Sequence, residues 1–337
     1  MTNPRVILAC VLLWLAPACG ALAQAVRAVE SVAITVSDLD ASIRWYTRVL
    51  HATAEPKREH AGDGVERLFG VFPARVRTAR VRIGDEAIDL VQFLAPSGRP
   101  MPADSRANDR WFQHAAIVVR DMDEAYDALR DAGVAFASSE PQRLPDWNPG
   151  AGGIRAFYFR DPDGHFLEVI WFPPGKGDPR WQQRADRLFL GIDHTAIVVD
   201  DTDAALRFYR DTLGLRVVGA GENYGPEQER LNAVFPARLR ITTLRAPGGP
   251  GVELLEYLTP RDGRPAPLDS RASDLWHWHV VMTTPDDPAP LFSSARRAGG
   301  APVSPFPVDA DFPAPENAES LLVRDPDGHA VLVTRAP

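Results

Sequence analysis

The sequence predicts an α+β fold built from four modules of order β-α-β-β-β. Two observations carry this. The chain is duplicated: "ERLFGVFPARVR" at 66 returns as "ERLNAVFPARLR" at 229, and "DSRANDRWFQHAAIVV" at 104 returns as "DSRASDLWHWHVVM" at 269. Each half also repeats within itself, since "HAAIVVRDMDEAYDALRDAGV" at 114 resembles "HTAIVVDDTDAALRFYRDTLG" at 194. Regular self-similarity of this kind sets the architecture before any single element does. The modules start near residues 28, 111, 191 and 276.

The elements follow in order. Residues 1–23 have one Arg, an apolar run from Val6 to about Leu15, and "ALA" at 21–23. That is the layout of a secretory signal peptide cleaved after Ala23, which implies a periplasmic or secreted protein. A lipoprotein signal ending at Cys19 is the alternative. The run is too short to span a membrane comfortably. Cys10 and Cys19 both fall inside it, so the mature chain has no thiol or disulfide chemistry. Residues 26–172 form the first domain (modules one and two), 173–187 a linker, and 188–337 the second domain (modules three and four).

Each module opens on a short β-branched strand such as "AIVV" at 116 or 196. An aspartate then caps a helix: Asp38, Asp121 or Asp201. Leu206, Tyr209 and Leu213 show helical spacing, with Gly214 as the expected stop. Further strands include "IDLVQFL", "FLEVIWF" and "VELLEYL". The net charge is −8 and no Lys/Arg cluster forms a phosphate-binding stripe, which excludes nucleic acid as a partner class. A small-molecule substrate is expected, from a monomer or a homodimer.

The four-fold repeat, the entries "DLDASIRWY" and "DTDAALRFY", and the turns "RDPDGH" at 160 and 324 together resemble the vicinal oxygen chelate superfamily. It includes glyoxalase I, extradiol dioxygenases, epimerases and bleomycin-resistance proteins. The resemblance implies curved mixed sheets around a cleft, each sheet built from two modules. It places metal ligands on the first and last strands of a module. Those places hold Ser31 and Asp89 in module one, His114 and Glu168 in module two, His194 and Glu253 in module three, and His279 and Leu332 in module four.

Two pairings are open. Pairing within halves gives a set of His194, Glu253 and His279, which suits non-haem iron and extradiol ring cleavage. Pairing modules two and three across the halves gives His114, Glu168, His194 and Glu253, leaving Ser31, Asp89, His279 and Leu332 as a broken site. The cross pairing is favoured; it is similar to fused glyoxalase I proteins, in which one of two sites can decay. The complete set would hold a divalent ion (Fe, Mn, Ni, Co or Zn). Glu168 and Glu253 would act as catalytic proton-transfer groups. Glyoxalase- or epimerase-like chemistry is then expected, with an extradiol dioxygenase or a metal-free binding protein as alternatives. Export disfavours a glutathione-dependent substrate.

Tyr158, Tyr224, Arg230 and Asn232 are the expected substrate-facing residues, the last three on a loop and strand entry. His165 and His329 read as solvent-exposed turn residues. Glu256, three residues after Glu253, should face away from it.

Overall fold

The computed structural model describes residues 26–183, 186–309 and 318–335. The expected signal peptide, with both cysteines, lies outside the described residues. Among those described, no helix is long and apolar enough to cross a membrane.

Module one runs β1 (Ala28–Thr35), α1 (Leu39–Leu50), β2 (Thr53–Ala54), β3 (Arg58–Ala61), α2 (Asp63–Phe69), β4 (Arg75–Ile83) and β5 (Glu86–Ala95). Module two has β6 (Gln113–Val119), α3 (Met122–Asp131), β7 (Ala135–Phe136), β8 (Gln142–Arg143), β9 (Arg155–Arg160) and β10 (Phe166–Trp171). Module three has β11 (Phe189–Val199), α4 (Thr202–Tyr209), β12 (Arg216–Tyr224), α5 (Pro226–Asn232), β13 (Arg238–Arg245) and β14 (Gly251–Thr259). Module four has β15 (Trp278–Thr284), α6 (Ala289–Arg297), β16 (Ala301–Pro302), β17 (Val308–Asp309), β18 (Glu319–Arg324) and β19 (Ala330–Arg335).

The three helix caps form as the sequence implies. Asp38 accepts from Ala41 N, Asp121 from Asp123 N and Glu124 N, and Asp201 from Ala204 N. Each satisfies an amide at a helix start that has no partner inside the helix. Two local expectations are corrected. Helix α4 ends at Tyr209 rather than running to Gly214; residues 210–213 continue as turns, and Gly214 N closes onto Arg210 O at 3.1 Å. The segment expected as loop and strand entry contains α5, which places Arg230 and Asn232 on a helix. Pro226 starts it, Glu227 and Glu229 sit in its first turn, and Ala233 ends it in a left-handed conformation.

The sheets pair modules across the halves. One runs β12-β13-β14-β11-β6-β10-β9-β7 and so joins modules three and two. The other runs β16-β18-β19-β15-β1-β5-β4-β2 and joins modules four and one. Within a module the first and last strands are parallel; across the join, β6–β11 and β1–β15 are antiparallel.

The helix layer obeys the other grouping. Leu39, Tyr46 and Leu50 of α1 share a buried cluster with Met122, Ala125 and Leu129 of α3, both from the first half. Phe208 and Tyr209 of α4 share another with Leu291 and Ala295 of α6, both from the second. Sheet hydrogen bonds therefore link the halves, while apolar burial beneath the helices packs α1 with α3 and α4 with α6 within each half.

The "RDPDGH" turns serve the second task, and here the expectation of exposed histidines is overturned. His165 is fully buried. Its Nδ1 lies 2.8 Å from Asp161 Oδ2 and its Nε2 2.6 Å from Leu275 O. Asp161 Oδ1 accepts from Asp163 N and His165 N, and Tyr46 of α1 donates to Oδ2. Asp325, His329 and Tyr209 repeat the arrangement in the second half. A side chain that folds back onto its own turn satisfies polar groups that can then be buried.

Candidate metal centre

The centre forms where β6 and β11 cross the middle of the nine-stranded sheet. Register pairs His114 with Ala196 and Ala116 with His194. It also pairs Glu168 of β10 with Ala116, and Glu253 of β14 with Ala196. Residues directly opposite one another across a sheet share a face. The two histidines and two glutamates thus surround a pair of alanines, both fully buried. Those two small side chains leave space beneath the four polar ones.

The functional atoms converge. His114 Nε2 is 3.1 Å from Glu168 Oε2, and His194 Nε2 is 3.7 Å from the same oxygen and 3.4 Å from Glu253 Oε2. His114, Glu168 and His194 each offer a ligand atom, all within 4.8 Å of one another, and all three residues are buried. Glu253 stands beside this trio on the more open side, where Thr243 donates to its Oε1 at 2.7 Å and its Oε2 faces His194.

These residues fit a cation. His114 Nδ1 is buried with no hydrogen-bond partner, and its Nε2, equally buried, has only the Glu168 carboxylate beside it, a costly state unless something else engages them. Glu168 and Glu253 make ion-pair contacts only to histidines among the described residues. Burial opposes a charge on His194, but Glu253, Asp193 and Glu168 outweigh it and lift its pKa to about 9. The pocket draws positive charge into itself.

Asp193 supports this set and was missed in the sequence. The ladder between β11 and β6 slips between Ile192 and His194, so Asp193 is the extra residue of a bulge. Bulges re-aim side chains, and here Asp193 Oδ2 meets Nδ1 of His194, its own neighbour, at 3.0 Å. That bond fixes which His194 nitrogen faces the centre. Burial would raise the Asp193 pKa, but the His194 hydrogen bond and charge, with Arg245 beside it, hold it well below the usual carboxylate range. Trp181 Nε1 donates to Asp193 Oδ1 at 3.0 Å. Trp181 belongs to the expected linker, which therefore braces the site.

Above the four ligand positions opens a cavity of about 530 Å³. Tyr158 and Tyr224 line it as expected. Tyr158 is buried directly across from Glu168, with its ring 4.9 Å from that of His114. Arg230 and Asn232 do not line it: Arg230 is exposed, and Asn232 is buried behind Gln228, whose amide donates to it at 2.6 Å. Trp147 was not anticipated; it stacks on Tyr224 with ring centroids 4.3 Å apart at the mouth. Glu256 faces away from the cavity, where it accepts from Thr202 N at the start of α4.

His279 lies in the ten-stranded sheet, paired with Ala33 of β1. It does not join His194 and Glu253, because the strand order separates module four from module three. That removes the alternative ligand set, His194, Glu253 and His279.

The glyoxalase/bleomycin resistance protein/dioxygenase superfamily model matches residues 28–169 and again 191–333. The chain belongs to this superfamily. A 2-epi-5-epi-valiolone epimerase from Actinomyces sp. is 35% identical over 167 residues, covering 48% of this chain and 87% of that protein. An uncharacterized Bacillus subtilis protein, YwbC, is 24% identical over 144 residues, covering 43% of this chain and 97% of its own. Glyoxalase I from Zea mays has the same fold over 91% of this chain and 92% of its own, with a TM-score of 0.57 at 18% identity.

Within this superfamily member the second sheet carries an altered copy of the centre. Ser31 and Asp89 stand in register where His194 and Glu253 stand, and the Ser31 hydroxyl donates to Asp89. Leu332 replaces Glu168, and Leu322, directly opposite it, replaces Tyr158. Both leucines belong to a buried apolar cluster with Phe69, Phe93 and Val76. Burial lowers the His279 pKa to about 4, with Asp89 opposing, so that imidazole stays neutral.

Proposed function

We propose that the chain is a divalent-metal-dependent enzyme of the epimerase or isomerase type, acting on a small oxygenated substrate. The reading rests on the cluster of His114, Glu168 and His194, whose ligand atoms lie within 4.8 Å of one another, with Glu253 Oε2 3.4 Å from His194 Nε2 in the lining of the same cavity. A bound divalent ion would polarise neighbouring oxygens of the substrate and lower the cost of an enolate-like charge. The likeness to an epimerase at 35% identity supports the same class.

The chain's own residues supply the proton steps. Glu168 and Glu253 come from β10 and β14, which flank the central pair β6 and β11 on opposite sides. A substrate seated over that pair has one carboxylate on each side. One takes a proton from the carbon next to a carbonyl, and the other returns a proton to the opposite face, inverting that carbon. Tyr158, with a pKa raised well above normal by burial and by Glu168, stays a neutral hydroxyl beside the reacting atoms. The test is exchange: the metal-loaded chain should wash solvent deuterium into an α-hydroxyketone, and Glu168→Gln or Glu253→Gln should reduce the rate by about a hundredfold or more. Unchanged exchange in both variants would overturn the proton roles.

The N-terminal sequence also supports export, with cleavage after Ala23. The intact mass of the protein recovered from the source cell would test it, since an uncleaved chain contradicts it.

A further inference from the structure

Among the described residues no lysine or arginine lines the 530 Å³ cavity, although four carboxylates do: Glu168, Asp193, Glu222 and Glu253. The cations that touch its walls are already committed. Arg245 pairs with Asp193 at 2.9 Å and Arg238 with Glu222 at 2.5 Å. Lys176 donates to the carbonyls of Pro149 and Gly150. A divalent ion between Glu168 and Glu253 would bring those two carboxylates to neutrality and leave no positive charge over.

The remaining polar wall is uncharged and largely self-satisfied. Asn148 donates to Asn223 at 2.6 Å, and Asn223 donates to Gln228 at 2.9 Å. Apolar side chains such as Leu144, Ile170 and Phe172 make up much of the rest, and the stacked pair of Trp147 and Tyr224 stands at the mouth. Such a wall offers contact area and a few hydrogen bonds, but no partner for an anion.

We infer that the cavity takes an uncharged hydroxyketone and discriminates against carboxylated and phosphorylated ligands, an inference that rests on the metal-centred reading above. A carboxylate or phosphate brought into this space would lose its hydration and find no uncommitted cation to pair with, and burying an unpaired charge is strongly unfavourable.

The test is calorimetry on the full chain, first with the metal alone and then with two probes, dihydroxyacetone and dihydroxyacetone phosphate. The expected result is binding of the neutral probe at least about tenfold tighter than the phosphorylated one. Ile241→Lys, which places an ammonium on the cavity wall, should reverse the order. A phosphorylated probe that binds equally well or better to the wild type, or failure of both probes to bind, overturns the inference. The metal titration separates the two claims. A chain that takes no metal yet still prefers the neutral probe overturns the metal-centred reading and keeps the charge selection. A chain that takes metal but shows no preference does the reverse.

Discussion

Arg80 grips Asp89 through Nε at 2.8 Å and Nη2 at 3.0 Å, at the register position that Thr243 and Glu253 occupy in the other sheet. In one copy a threonine leaves its carboxylate facing a histidine; in the other a guanidinium supplies the positive charge from within the chain. Glu30, the bulge residue matching Asp193, also turns to Arg80, at 3.3 Å. The second site has become an internal ion-pair network roofed by leucines.

The first prediction concerns that network. Arg80 and Asp89 are mostly buried, with side-chain exposures of 16% and 5%. Removing one partner strands the other, so Arg80→Ala should cost about 3–5 kcal/mol. Urea unfolding measures this. A loss below about 1 kcal/mol would place the pair in the class of surface ion pairs.

The second prediction rebuilds the lost copy. Ser31→His, Arg80→Thr, Asp89→Glu and Leu332→Glu together recreate the other sheet's set, with His279 already in the His114 position. Metal content should rise from one ion per chain to two. If the content stays at one, the altered site differs in more than these side chains.

The third concerns Asp193. Asp193→Asn keeps the shape but removes the carboxylate that orients His194, and loss of such a supporting partner typically weakens metal affinity about 10–100-fold. Competition with a chelator would show it, with folding checked by circular dichroism. Unchanged affinity would mean that the bulge serves only the sheet.

The fourth is a pH effect at the turns. Burial works against a charge on His165, but Asp161 and Asp163 outweigh it, and its pKa is raised in the folded state. His329 is likewise raised, by Asp325 and Asp327 against burial. A raised folded-state value means that the stabilisation is fully present below the unfolded value of about 6.5 and is lost as the pH rises through the folded value. The stability gap between wild type and His165→Gln should therefore shrink from mildly acidic to alkaline pH, read from urea midpoints. A gap that widens with pH would contradict the Asp161 pairing.

Much of this architecture was legible because duplication writes itself into sequence. The modules and the cross-half sheets followed from which ligand positions were kept together: His114 with Glu168, His194 with Glu253. What escaped depended on features with no local signature. The bulge at Asp193 is a one-residue slip in a strand whose composition is ordinary. Trp181 sits in a polar, Gly- and Pro-containing segment that reads as linker, and only its tertiary bond to Asp193 gives it a part in the site. The histidines of "RDPDGH" follow an exposed-looking turn motif, yet packing against α1 and α4 buries them. Helix α5 carried a start signal in Gly225 and Pro226 that the repeat alignment overshadowed.

Metal analysis of purified chains measures whether His114, Glu168, His194 and Glu253 hold a single ion. Wild-type protein supplied with Fe, Mn, Ni, Co or Zn should retain one ion per chain. Glu168→Leu, which copies the leucine at 332, should fold and retain none. A wild type that holds no metal under any of these conditions, or a Glu168→Leu chain that holds as much as wild type, would contradict the account.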